Sequence, residues 1–100
     1  MTSEELNKLK ELVKPIAEKY NVDRVSLFGS RARGDNRPDS DYDFLVLCPN
    51  IKGFFAVGGL YADLEEAVST KIDLLDEESP DQEFVNEIRE DAVVLYEQAR

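Results

Sequence analysis

A chain of 100 residues, 42% hydrophobic with five glycines and four prolines, has material for one compact domain with a modest core and no room for a second. Its formal charge of -10 argues against sequence-independent binding to nucleic acid, which runs on clustered Lys and Arg releasing counterions. The absence of histidine and the single cysteine, Cys48, exclude histidine catalysis, an internal disulfide and an ordinary zinc site, so any metal is expected to be a hard cation held by carboxylates.

Thr2 followed by Glu5 has the form of a capping box, and Leu6, Leu9, Leu12, Val13, Ile16, Ala17 and Tyr20 recur at helical spacing. An amphipathic first helix is expected, kinked or shortened at Pro15. No apolar run approaches the roughly 20 residues of a membrane span, and the acidic start lacks the basic region of a secretory signal. The expected location is cytoplasmic.

Val22 to Phe28 alternates apolar and polar residues and reads as a strand, running straight into GSRARG. Gly34 to Ser40 is a polar loop, and Asp41 to Leu47 a second strand ended by Pro49. Four of the six arginines (Arg24, Arg31, Arg33 and Arg37) lie in this part of the chain, so one local region can attract an anion despite the overall charge.

From Phe54 to Val68 the apolar residues follow the helical period, with their phenylalanines expected to pack on the sheet. Gly58 and Gly59 imply either close packing there or a late start near Leu60. Lys71 to Leu75 (KIDLL) is a third strand, and Pro80 can open a helix that buries Phe84, Val85 and Ile88. The final AVVLY run either finishes that helix or adds a strand.

The chemistry concentrates in Gly29-Ser30, then ten residues, then Asp41-Tyr42-Asp43. In a strand, Asp41 and Asp43 face the same side, with Cα atoms roughly 6.6 Å apart. Such a pair repels unless one member takes a proton or a cation sits between them, and Mg²⁺ or Mn²⁺ resolves the conflict. Gly29 ends a strand where Ser30 to Arg33 could form a helical turn, so backbone N–H groups and the Ser30 hydroxyl would face an anion. Asp73 is the third acid, since a charged residue inside the apolar KIDLL strand is otherwise costly to bury. Arg31 and Arg33, two apart on a turn, cannot both face one phosphate.

GSRARG, SDYDFLV and KIDLL together resemble the minimal nucleotidyltransferase (MNT) branch of the DNA polymerase beta superfamily, over nearly the whole chain. The four residues Gly29, Ser30, Asp41 and Asp43 would coincide at this spacing with a probability on the order of 10⁻⁵ per starting point. The resemblance implies a small α/β (α+β) fold, with a mixed sheet and helices packed mainly on one side, formed by residues 1–100 as a single domain. It implies Asp41, Asp43 and Asp73 as catalytic ligands of two Mg²⁺ ions, with Mn²⁺ as a substitute and Asp73 also activating the acceptor. It places ATP on Gly29 and Ser30, with Arg33 a further candidate for the nucleotide.

The resemblance also implies a partner: a helical HEPN-family toxin, neutralised by transfer of AMP to a tyrosine, as in a type VII antitoxin. Two alternatives stand beside this. One is a binding module that masks its partner by contact and transfers nothing; the other is a small-molecule nucleotidyltransferase, disfavoured because little chain remains to build an acceptor pocket. A homodimer is left open.

Overall fold

The computed structural model describes residues 1–99. Helix α1 spans Ser3–Lys19 and begins at a capping box: the Glu5 amide donates to Thr2 Oγ1 at 3.1 Å, and the Thr2 amide donates to Glu5 Oε1 at 3.2 Å. Leu9, Val13 and Ala17 form its buried stripe. Pro15 does not end the helix, which runs on to Lys19 because buried residues anchor the chain on both sides of it.

Strand β1 (Arg24–Phe28) passes into the short helix α2 (Gly29–Arg33), which Gly34 closes in the left-handed conformation at φ 84°. Strand β2 covers Tyr42–Leu47, so it starts one residue later than the sequence suggests, leaving Asp41 outside it. Helix α3 (Phe54–Val68) takes the early start despite its two glycines, and at Gly59 the reason is close packing. A Cβ there would fall 2.6 Å from the Tyr20 hydroxyl.

Strand β3 (Ile72–Asp76), helix α4 (Gln82–Arg89) and strand β4 (Val93–Glu97) complete the chain, so the AVVLY run is a strand. Asp81 caps α4, its carboxylate accepting from the Phe84 amide at 3.1 Å. The four strands form one mixed sheet in the order β3-β2-β1-β4, with β2 and β3 parallel and β1 antiparallel to both its neighbours.

Helices α1 and α3 pack on one face of this sheet, their Leu9, Val13, Leu60 and Leu64 meeting Val25, Leu27, Phe44, Val46, Ile72 and Leu95. The other face presents Ser26 and Leu45, the alternate residues of β1 and β2, and Arg89 of α4 joins them around a shallow cavity. Two expectations about the aromatic residues fail. Phe54 and Phe55 are 95% and 99% exposed rather than packed on the sheet, and Phe84 is exposed while Val85 carries the buried face of α4. Among the described residues, no helix is long and apolar enough to cross a membrane.

Candidate active site

Strand pairing brings the acids together. The antiparallel register of β1 and β2 sets Phe28 opposite Asp43, so the chain leaves β1 at Gly29 beside that carboxylate. The parallel register of β2 and β3 sets Asp43 opposite Asp73, so the second acid of the central pair and the KIDLL acid share one end of the sheet. Gly29 takes a positive φ of 77°, and a Cβ on it would collide with the Asp43 carboxylate. Only glycine allows strand, turn and acid to approach this closely.

Asp43 is half-buried, and its carboxyl is pushed up from the usual 3.8 to about 6. Burial is the largest cause, followed by a hydrogen bond with the Asp73 carboxyl and the negative charges of Asp73 and Asp41, with Arg33 pulling weakly the other way. The same interactions define the neighbourhood: Asp41, Asp73 and Arg33 all lie within electrostatic reach of Asp43. Asp73 itself is exposed on an edge strand, so its presence does not follow from the burial cost that the sequence suggested.

Asp41 stands exposed in the loop before β2, so of that pair Asp43 alone lies in the strand. Among the described residues, no three acids are drawn as tightly as a closed metal cage requires. The close contact is Asp43 with Asp73. A half-buried carboxyl whose ionised form is disfavoured by two neighbouring acids is nevertheless suited to a hard divalent cation, and the donors on offer are all carboxylate oxygens.

Helix α2 carries the other candidates. Ser30 is half-buried, and its carbonyl accepts from the amides of Gly34 and Asp35 at 2.9 and 3.1 Å, which tightens the turn behind the Gly29 corner. Arg33 pairs with Asp35 at 3.3 Å and lines, with Phe28, Gly29, Glu87, Ile88 and Asp91, a cavity of about 250 Å³ beneath the C-terminal end of α4. Arg31 turns to the opposite side, donating to the Ser40 and Pro38 carbonyls and lying 4.0 Å from the centre of the Tyr42 ring. Cys48 is half-buried just beyond β2, and burial first, then nearby Asp76, Glu78 and Asp23, pushes its thiol up to about 11, so it stays protonated.

Two contacts had no clear mark in the sequence. The Tyr61 hydroxyl of α3 donates to the Ile72 carbonyl at 3.0 Å, fixing the backbone immediately before Asp73. Glu77, 2% exposed, accepts from both Arg24 and Arg89 at 2.9 Å and ties the end of β3 to β1 and α4. A tyrosine at helical spacing reads as core, and an acid in the DEES turn reads as solvent-facing. Only the register that places these residues reveals their partners.

A glycine-serine corner set against paired acids on neighbouring strands is the arrangement of a nucleotidyltransferase. The chain belongs to the polymerase beta nucleotidyltransferase family, whose model matches residues 10–100. It is 33% identical over 97 residues to an inferred protein adenylyltransferase of Methanocaldococcus jannaschii, covering 90% of this chain and 97% of that one. A solved structure described as an inferred minimal nucleotidyltransferase superposes with a TM-score of 0.77 at 28% identity, over 93% of this chain and 95% of the other. The fold recurs in a structure of the tri-AMPylated Shewanella oneidensis HEPN toxin in complex with MNT antitoxin, at a TM-score of 0.67 and 18% identity over 90% of this chain and 71% of that one.

Proposed function

We propose that this chain is a Mg²⁺-dependent protein adenylyltransferase that transfers AMP from ATP to a tyrosine of a HEPN-family toxin and so acts as its antitoxin. The observation that carries this reading is the carboxyl pair Asp43 and Asp73 set level across β2 and β3 beside Gly29. The adenylyltransferase name of the archaeal relative and the AMPylated toxin bound by the structural neighbour support the acceptor class.

In this reading Asp41, Asp43 and Asp73 hold two divalent ions, Mg²⁺ or Mn²⁺. When bound, they neutralise the triphosphate and polarise the phosphorus that is attacked. Gly29 and Ser30 seat the triphosphate against the start of α2, with Arg33 at its edge. Asp73, exposed at the sheet edge, takes the proton of the acceptor hydroxyl as its oxygen bonds to the α-phosphorus and the bond to pyrophosphate breaks. Asp43, half-buried and held opposite Asp73 by strand pairing, is the anchored carboxyl of the three.

The test is direct. The protein, ATP and Mg²⁺ are mixed with the all-helical product of the neighbouring reading frame bearing an Arg-x4-6-His motif. The expected product is that partner heavier by roughly 329 Da per AMP transferred, the increment of nucleotidyl transfer. The Asp41→Asn, Asp43→Asn double variant should neither modify the toxin nor protect cells. Protection by that variant at equal expression, with tight complex formation, would replace catalysis by masking through contact.

A further inference from the structure

We propose that Arg31 is a positioning residue whose guanidinium fork locks the loop before β2 and thereby sets Asp41, resting on the reading of Asp41 as a site residue. The need for such a device follows from the register. Asp43 and Asp73 are fixed by strand pairing, whereas Asp41 lies outside the ladder and no strand partner holds it. Its place depends on its two neighbours, and Arg31 engages both of them.

On one side, Arg31 Nε and Nη2 donate to the Ser40 carbonyl at 3.0 and 2.7 Å, and Nη2 also reaches the Pro38 carbonyl at 3.2 Å. On the other, the guanidinium lies over the Tyr42 ring, which stacks on the fully buried Phe44 with ring centres 6.1 Å apart. The Tyr42 amide is itself tied to the Lys71 carbonyl at 3.1 Å, and the loop closes on itself through Ser40 and Arg37. Asp41 is thus suspended between two residues referred to the core through one side chain. Because Arg31 follows Ser30 directly, the same side chain couples the glycine-serine corner to the acidic loop.

The geometry also separates this role from phosphate binding. Side chains alternate along β2, so Tyr42 and Phe44 face the α1 and α3 side while Asp43 and Leu45 face the α4 side. Arg31 stacks on the side away from Asp43, with its donors directed at main-chain carbonyls. The arrangement requires a planar fork that hydrogen-bonds along its edge while stacking on its face. A lysine ammonium cannot do both.

The experiment compares Arg31→Lys and Arg31→Ala with wild type, using Arg37→Ala as a control for loss of loop charge alone. Amide hydrogen exchange in the metal-free protein is expected to speed up about tenfold at Ser40 and Tyr42, whose hydrogen-bonded amides flank Asp41, in both Arg31 variants, while amides of β1 stay unchanged. Binding of Mn²⁺ alone should weaken in step. In the transfer reaction at saturating Mg²⁺, kcat should fall roughly ten- to a hundredfold with KM for ATP within about twofold of wild type, and Arg37→Ala should match wild type throughout.

Wild-type exchange at Ser40 and Tyr42 in Arg31→Ala overturns the proposal, as does full recovery by Arg31→Lys. A rise in KM for ATP at unchanged kcat would instead make Arg31 a triphosphate ligand and overturn it too. If Arg31→Ala does not fold, Arg31→Lys carries every readout. The exchange arm needs no turnover, so a protein that transfers nothing would refute the proposed function while leaving the positioning role to be decided on its own.

Discussion

Asp43 is the side chain on which most of the site's physics converges. Its folded value of about 6 lies above the usual 3.8, so the folded state binds a proton that the unfolded chain has released. The sign follows: without metal, stability falls as pH rises between those values and stays reduced above them. Asp43→Asn should therefore stabilise the metal-free protein at pH 8 by about 1 kcal/mol, a figure discounted from the full linkage value because the group is partly solvated. Near pH 4 the gain should vanish, and thermal melts at the two pH values check both halves. The approach of Gly29 to Asp43 was legible from spacing, because a glycine and an acid at strand ends have few other uses, whereas the strand face expected to be shared by Asp41 and Asp43 was not found. The division of labour between Arg31 and Arg33 was not legible, since two arginines on one turn differ only in which face the fold assigns them.

Among the elements, α4 is held by an ion network as well as by its apolar face. Val85 is its only fully buried residue, and Arg89 reaches back to Glu77, which also holds Arg24 while Arg24 holds Glu97 at 2.9 Å. Burial pushes the Glu77 carboxyl up, but its hydrogen bonds to Arg24 and Arg89 outweigh that and leave it below its ordinary value. Its contribution is therefore present above about pH 4.5 and lost as pH falls through the lowered folded value. Glu77→Gln should lower stability by about 2 kcal/mol at pH 7, read as a drop in denaturation midpoint, and the deficit should narrow in acid. Helix α3 shows the limit of periodicity. The repeat located the helix correctly, yet Phe54 and Phe55 extend past the edge of the core where nothing covers them, and hydrophobicity could not reveal an exposed end.

At the scale of the molecule, the order β3-β2-β1-β4 converts three separated segments into one acidic end. The sequence supplied the segments and the family pattern supplied the mixed sheet, but pairing order and register depend on contacts remote in the chain. For the same reason β1 begins at Arg24 rather than Val22, β2 at Tyr42 rather than Asp41 and β3 at Ile72 rather than Lys71, and the shift at β2 removed Asp41 from the ladder. The resulting charge pattern makes a demand on the ligand. A protein of net charge -10 sets Asp41, Asp43 and Asp73 where the proposed reading seats a polyanionic triphosphate, with Arg33 a cation whose field reaches Asp43. Like charges at such distances oppose binding by several kcal/mol unless a cation lies between them. The nucleotide and the divalent ion should therefore bind as a pair, each poorly without the other. A non-hydrolysable ATP analogue alone should shift the melting temperature by less than about 1 °C, whereas analogue and Mn²⁺ together, at about a hundred times their joint dissociation constant, should add about 2.7 kcal/mol. In a chain of this size that corresponds to a rise of roughly 10 °C or more. Asp43→Asn should abolish the joint shift while keeping its own metal-free stability. An equal rise with analogue alone would mean that the arginines, rather than a cation held by the acids, seat the triphosphate.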